Sequence, residues 1–347
     1  MKNSIHPDVL RYPHPIVKAN KLKKGTIHEF AILGKNYVLF RDADGNAAAT
    51  LENCPHRGAL LAKGSVNAQG ELVCAYHAWR IRSNGTAVSA SDPNKVCSIP
   101  MLKTWEKHGF IWVAHANVPD SAFPDFTRPG FEFVGGFTEP FRAPLPVVLD
   151  NFGEVEHSFQ VHVFVGTSSK SPDTLSFSSE TREDETIGRS SSRYRGFPLK
   201  LHRLVGIRDG DNYHIDWVFR FKPLHGSYHN YLTDPISAAR RPVSYIVTTF
   251  FVPVRDKEVD VHTFVQMAIE SPRLRWLAPI IRLGAMAVTK YEIKNDADIA
   301  RYAPESSDGR QWNLTHLDKQ LFVNRRLMDR IYLAPQPANV APPTPAS

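Results

Sequence analysis

Residues 54–79 read CPHRGALLAKGSVNAQGELVCAYHAW and contain two of the three cysteines of the chain. Cys54 is followed by His56 and Cys74 by His77, and seventeen residues separate the two pairs. Side chains two apart on an extended strand point to the same side, so Cys54 and His56 can be directed at one site. A tight turn would do the same for Cys74 and His77. Two such loops facing each other would supply two thiolates and two imidazoles.

This set of four side chains matches the ligands of a Rieske [2Fe–2S] centre, in which two cysteines hold one iron and two histidines hold the other. A structural zinc site is the alternative for the same residues. Zinc sites usually place two cysteines in one arm and two histidines in the other. The mixed order in both arms of this sequence therefore favours the iron–sulfur cluster.

The composition is that of a globular protein, with 347 residues, 42% hydrophobic and 22% charged, enough for about two domains. Three cysteines are too few for a disulfide framework and indicate thiols in a reducing compartment. The first residues lack a secretory signal, and no apolar run reaches the length of about 18 that a membrane span needs. The net charge is +7, but the basic residues are scattered. We expect a cytoplasmic protein that binds neither membrane nor nucleic acid.

The order of residue patterns predicts a small β domain followed by a larger α+β domain. Turn signals between β-type runs define an all-β domain over residues 16–116, after an N-terminal segment of residues 1–15. A proline-containing linker is expected over residues 117–130 and a second domain over residues 131–333. The Pro- and Ala-rich tail, residues 334–347, is expected to be disordered.

A second cluster of ligand-type side chains lies in residues 150–162, which read DNFGEVEHSFQVH. We predict a helix from Asp150 to about Phe164. His157 and His162 would be about 140° apart on a regular helix, so the helix must end or bulge between them if they share a metal. Two imidazoles and a carboxylate on one face of Fe(II) leave other positions open for O₂ and substrate. In isolation, such a histidine pair is more often an ordinary core or surface feature.

Together these segments resemble the Rieske non-haem iron oxygenases, over about residues 12–310. The second cysteine box of that family commonly reads Cys-x-x-His-Gly-Trp, and here Ala78 replaces the glycine. The resemblance implies that the cluster ligands are Cys54, His56, Cys74 and His77, and that the iron ligands are His157, His162 and Asp296. Asp296 is expected at the start of a late helix, with Asp298 as the alternative ligand.

The resemblance also implies roles for Asn151 and Glu154. Asn151 matches a family asparagine near the iron. Glu154 stands where the family usually has an aspartate that links a cluster histidine of one subunit to an iron-ligand histidine of its neighbour. We expect Glu154 to keep this bridge with a shifted geometry. Glu156 is a second candidate for the bridge, although a solvated carboxylate is the simpler interpretation.

By the same resemblance, an all-β Rieske domain precedes a helix-grip catalytic domain, an antiparallel sheet around a helix, and the chain forms a homotrimer. A separate NAD(P)H-dependent reductase or a ferredoxin would supply electrons. The implied function is oxidation of a small aromatic or cyclic substrate with O₂, by hydroxylation or demethylation. The alternatives are a cis-dihydroxylating dioxygenase, a Rieske electron-transfer protein without oxygenase activity, and a zinc-stabilised binding module. Strands between about 195 and 265, with aromatics such as Trp217, Phe219, Phe250 and Phe251, would line the substrate pocket.

Overall fold

The structure is a computed structural model that describes residues 9–165, 175–194, 196, 198–303, 313 and 315–332. The predicted tail, residues 334–347, and the first eight residues of the predicted N-terminal segment lie outside the described residues. Across the described ranges, every paired strand runs antiparallel to its neighbours.

The N-terminal third forms two sheets from eleven strands. The strands are β1 His14–Lys18, β2 His28–Ile32, β3 Lys35–Arg41, β4 Ala47–Leu51, β5 Ser65–Val66, β6 Leu72–Val73, β7 Arg80–Ile81, β8 Thr86–Val88, β9 Val96–Ser98, β10 Met101–Lys107 and β11 Phe110–His115. Six of them form one sheet in the order β1-β11-β10-β4-β3-β2. The short strands β5 to β9 form a second sheet in chain order, inserted between β4 and β10.

In the remainder of the chain, the described residues form a seven-stranded sheet with three α-helices. The strands are β12 Glu132–Phe141, β13 Ser176–Thr181, β14 Glu185–Arg193, β15 Asn212–Phe221, β16 Leu224–Thr233, β17 Val243–Arg255 and β18 Glu258–Ile269, in the order β12-β18-β17-β16-β15-β14-β13. The helices are α1 Leu145–Gly153, α2 Ala278–Ala300 and α3 Lys319–Tyr332. Helices α1 and α2 contact this sheet, and α3 contacts α1.

Aromatic side chains join the six-stranded and seven-stranded sheets. Trp112 on β11 packs against Phe250 on β17 and Phe264 on β18, with ring centroids 5.0 Å and 5.6 Å away. Phe126, from the predicted linker, adds to the same buried cluster. The predicted fold class, an all-β domain followed by an antiparallel sheet with helices, is confirmed, whereas the exact domain limits stay a prediction.

The helix predicted around His157 and His162 was placed wrongly. The helix predicted from Asp150 to Phe164 instead spans Leu145–Gly153 and is followed by a short 3-10 helix, Glu156–Phe159. Pro146 lies in its first turn, where proline is tolerated, and Glu154 is already extended, with φ −116° and ψ 164°. The backbone therefore breaks before the first histidine.

Asp296 was expected at the start of a helix but lies near the end of α2, a helix of 23 residues. The helix begins soon after Pro272–Leu277, a 3-10 helix, with Pro279 in its first turn. An acidic residue at this end is not favoured by the helix dipole, so its position requires a local partner. In the part of the chain that the structure describes, no helix is long and apolar enough to cross a membrane.

Candidate metal centres

The predicted cluster ligands lie on two loops with the same backbone hydrogen bonds. One loop follows β4 and the other joins β6 to β7. In each loop the N–H of the cysteine, Cys54 or Cys74, donates to the carbonyl five residues later. The carbonyl of the same cysteine accepts from the N–H four residues later, at 2.9 Å and 3.0 Å. The two loops are thus structural equivalents, as the repeated Cys/His pattern predicts.

Each loop turns through a residue in the left-handed region. Gly58 has φ 73° and Ala78 has φ 56°, a region that glycine enters readily and alanine enters at a cost. Ala78 occupies the position at which the family pattern has glycine. The sequence departure at Ala78 is therefore accommodated without a change in loop geometry.

The four side chains of the predicted cluster site lie together at the tip of the inserted sheet. Cys54 and Cys74 are 4% and 3% exposed and hydrogen-bond through sulfur. Burial raises the pKa of Cys54, while backbone N–H groups of His56 and Arg57 donate to its sulfur and oppose that rise. The His56 and His77 rings are exposed, with centroids 4.8 Å apart. Buried sulfurs beneath exposed imidazoles fit a cluster whose histidine-bound iron faces solvent.

The second predicted site brings two histidines and one aspartate within coordination range of one point. Ligand atoms of His157, His162 and Asp296 all lie within 4.8 Å of one another. The Asp296 carboxylate is 3.1 Å from Nε2 of His162 and 3.4 Å from Nε2 of His157. Nε2 of His157 is buried and has no hydrogen-bond partner among the described residues. Such an orphaned nitrogen beside a carboxylate fits a metal ligand.

Negative charge is in excess around these histidines. Burial opposes the charged form of His157, yet Glu154 and Asp296 raise the pKa of His157 to about 10. Burial alone would raise the pKa of Asp296, but the hydrogen bond from His162 and the charges of His157 and His162 hold it well below its usual range. A buried site that stabilises positive charge in this way is suited to a divalent cation.

Glu154 contacts the first histidine from the other side. Its Oε1 lies 2.5 Å from Nδ1 of His157, and its carboxylate also accepts backbone N–H groups of Glu156 and His157. These bonds hold the short 3-10 helix and direct Nε2 of His157 towards Asp296. Asn151 lies in the last turn of α1, half-buried. Glu156 is exposed, as expected for a solvated carboxylate.

Asp298 points away from the histidines. Its side chain is 44% exposed and forms ion pairs with Lys294, at 2.8 Å, and Arg301 on the same helix. The structure thus groups Asp296, and not Asp298, with His157 and His162.

A cavity of about 130 Å³ opens beside the His157/His162/Asp296 cluster. Alternate residues of β14, β15, β16 and β17 line it, because successive side chains of a strand point to opposite faces. The lining from these strands consists of Ser190, Ser192, Tyr213, Ile215, Trp217, Tyr228, Asn230, Tyr245, Val247 and Thr249. One face of α2, the segment from Phe152 to Ser158, and the residues His162 and Val165 complete it.

Of the aromatics expected in the pocket, Trp217 lines the cavity, while Phe219, Phe250 and Phe251 are buried in the cores. The residue that sequence reasoning missed is Glu292, a buried carboxylate on α2 that also lines the cavity. Its position four residues before Asp296, on the same helix face, was the available signal.

The family model described as the Rieske [2Fe-2S] domain matches residues 13–106. Chlorophyllide a oxygenase of Chlamydomonas reinhardtii is 32% identical over 33% of this chain and 18% of its own length. A cholesterol 7-desaturase of Bombyx mori is 28% identical over 42% of this chain. The chain thus spans 18% to 34% of the length of several curated relatives it matches.

Other relatives match along almost the whole chain. The vanillate O-demethylase oxygenase subunit of Pseudomonas sp. strain HR199 is 26% identical over 88% of this chain and 90% of its own length. The crystal structure of dicamba monooxygenase bound to 3,6 dichlorosalicylic acid superposes with a TM-score of 0.74 and 18% identity, over 93% of this chain and 97% of that one. This likeness establishes the fold.

Proposed function

We propose that the chain is the oxygenase component of a Rieske non-haem iron oxygenase system, with a [2Fe–2S] cluster and a mononuclear iron as its cofactors. It would oxidise a small ring-containing organic compound with O₂, by hydroxylation or demethylation. The observation that carries the proposal is the grouping of His157, His162 and Asp296 beside a cavity.

In this proposal, Cys54, His56, Cys74 and His77 hold the cluster, and His157, His162 and Asp296 hold the iron. The cluster supplies single electrons, and the iron supplies a centre at which O₂ is activated. Glu154 binds Nδ1 of His157, which fixes the ring and leaves Nε2 free to coordinate. The buried Asp296 carboxylate offsets the positive charge of the ion.

We propose that electrons enter through the exposed ring edges of His56 and His77. Their exposure suits docking against another protein surface. A homotrimeric ring would close by heterologous contacts and set one subunit's cluster beside the next subunit's Glu154 and His157. The donor to the cluster would be an NAD(P)H-dependent reductase or a ferredoxin, and the proposed compartment is the cytoplasm.

The cavity supports an uncharged substrate with a single ring. A cavity of about 150 Å³ accommodates one benzene ring, which is close to the volume of about 130 Å³ here. Aromatic side chains such as Trp217 and Tyr228 provide flat apolar walls. Glu154, Glu292 and Asp296 contribute three carboxylates to the lining. An anionic substrate would be repelled by them, unlike the vanillate in the name of the relative.

The first test is the metal content of the anaerobically purified protein. We expect three irons and two acid-labile sulfides per chain, with a Rieske-type EPR signal after dithionite reduction. Cys74→Ala should lose the signal, and His162→Ala should keep it while ending turnover. Two irons per chain after Fe(II) is added back would instead indicate an electron carrier, and zinc without sulfide would indicate a zinc-stabilised module.

The substrate class is tested with a matched pair of ring ethers that differ in charge, 4-methoxybenzyl alcohol and 4-methoxybenzoate. With a reductase and NADH, we expect kcat/KM for demethylation of the alcohol to exceed that of the benzoate by about tenfold or more. Equal or faster turnover of the benzoate contradicts the proposal of an uncharged substrate.

A further inference from the structure

Glu292 is a buried carboxylate whose oxygens accept hydrogen bonds from backbone N–H groups of another segment. It is 3% exposed on α2. Its Oε1 accepts the N–H of Val163 at 3.0 Å, of Phe164, and of Val165 at 3.3 Å, and its Oε2 lies 3.1 Å from the Val163 nitrogen. Three consecutive amides thus converge on one side chain. Bonds of this kind to an ionised acceptor are stronger than those between neutral groups.

The two segments that Glu292 joins are those that carry two of the proposed iron ligands. Val163 to Val165 directly follow His162, and Glu292 lies one helical turn before Asp296. Asn295, next to Asp296, donates to the Val161 carbonyl at 3.4 Å and adds a second link between the same segments. The residues after His162 form neither helix nor strand as far as Val165, so regular structure does not fix their position.

We propose that Glu292 is a positioning residue that holds the His162 segment against α2 and thereby sets the spacing of His162 and Asp296. This inference rests on the proposed function, since it assigns those two residues to the iron. Glu292 also lines the cavity, so the same side chain contacts both the proposed substrate space and the segment that carries His162. Loss of its negative charge would weaken its hydrogen bonds to three backbone amides at once.

The affinity of the site for a divalent ion separates positioning from a general contribution to stability. Glu292→Gln keeps the length of the side chain but removes its negative charge and replaces one of its two acceptor oxygens with an NH₂ donor. We expect Co(II) bound beyond the cluster iron, measured by anaerobic equilibrium dialysis, to be about 10- to 100-fold weaker, the range typical of lost partners around metal ligands. The Rieske EPR signal should be unchanged.

Glu132→Gln is the matched control. Glu132 is exposed and forms an ion pair with Arg282, so it also links α2 to another element. We expect its Co(II) affinity to equal that of the wild type. An affinity of Glu292→Gln within twofold of the wild type, with the cluster signal intact, overturns the inference.

Amide hydrogen exchange in the wild-type holoprotein tests the same inference without a variant. We expect the amides of Val163, Phe164 and Val165 to exchange slowly, because each donates to a buried carboxylate. Exchange as fast as in an exposed loop overturns the inference, even if Glu292→Gln fails to fold. A wild-type protein that binds no Co(II) beyond its cluster iron contradicts the proposed function itself. If the wild type binds Co(II) and Glu292→Gln binds it equally well, only the inference about Glu292 is overturned.

Discussion

Gly58 and Ala78 hold equivalent positions in the two cluster loops, and both have positive φ. An L-residue in that region costs about 1–2 kcal/mol, and open space surrounds Gly58, where no atom lies within 4 Å of an added Cβ. We expect Gly58→Ala to lower the free energy of unfolding by about 1 kcal/mol. Ala78→Gly should raise it by less, because glycine gains freedom in the unfolded chain. Scanning calorimetry of both variants measures these changes, and a stabilising Gly58→Ala would contradict the argument.

The carboxylate of Glu154 is expected to affect the rate of electron transfer from the cluster. Glu154→Gln removes the negative charge beside Nδ1 of His157 but keeps the side chain length. We expect cluster and iron contents to be retained, while reoxidation of the reduced cluster by O₂ and substrate slows by about tenfold or more. Stopped-flow absorbance of the cluster provides the rate.

Glu156→Gln is the control for this variant, because Glu156 is an exposed carboxylate two residues away. Its reoxidation rate should match that of the wild type. A slow Glu156→Gln beside an unaffected Glu154→Gln would move the bridge to Glu156.

Most of the residues that the structure places together at the two candidate sites had been predicted from the sequence. The Cys/His spacing predicted four residues that lie close together on two neighbouring loops, and the histidine pair was predicted together with Asp296, which lies beside it. Their roles as ligands stay predictions. Glu292 was missed because its role depends on three backbone amides of a distant segment, and backbone contacts of that kind leave no pattern in side-chain identity.

Strand β14 passes close to the cavity wall at Gly188. An added Cβ there would lie 2.0 Å from Cζ2 of Trp217, the paired residue on β15. Because the indole must move, we expect Gly188→Ala to lower stability by about 1–3 kcal/mol and to raise KM for the substrate. Thermal unfolding and steady-state kinetics measure the two effects.

Gly284→Ala on α2 is the corresponding control, since its Cβ would meet nothing within 4 Å. In a helix this change is expected to stabilise by about 0.5–1 kcal/mol, without an effect on KM. Equal effects of the two substitutions would show that contact with Trp217 does not determine the cavity wall.

The limits of the helices were predicted less accurately than the grouping of the site residues. Strands β15, β16 and β17 lie between about residues 195 and 265, where strands were expected. Helix limits were not found where expected, because the pattern around His157 and His162 resembles a helix although Glu154 is already extended. The tertiary contacts of its carboxylate with the following amides outweigh local propensity there.

The contact between the two large sheets includes a titratable group, Asp260 on β18. It lines a groove that also contains His28, Glu29, Arg255 and His262. Burial, with a smaller effect of Glu258, raises the pKa of Asp260 to about 6. The folded state therefore binds this proton more tightly than the unfolded state. Stability from this group is present below about pH 4 and is lost as pH rises towards 6.

Asp260→Asn should therefore raise the free energy of unfolding by about 1–3 kcal/mol at pH 7–8 and leave it unchanged below about pH 4. Calorimetry of wild type and variant across this pH range gives the difference. A difference that is constant with pH would exclude titration of Asp260 as its source.

For the whole molecule, the order of a β domain and an α+β domain followed from the sequence, and the packing between them did not. The predicted linker contributes Phe126 to the aromatic cluster shared by both large sheets. Whether a proline-containing segment lies free or packs depends on the surfaces beside it, which are assembled only when distant strands meet.

The chain leaves the six-stranded sheet after β4 and returns to it at β10, where Thr50 pairs with Met101 and binds the Pro100 carbonyl at 2.7 Å. Residues 52–100 are thus an insert closed at its base, with all four predicted cluster ligands inside it. Recombination between related genes at these two points would exchange the segment that contains the predicted cluster ligands, and we expect the register of β4 and β10 to be kept. Under the proposed function, redox potential and substrate choice would then be encoded by separate stretches of one gene.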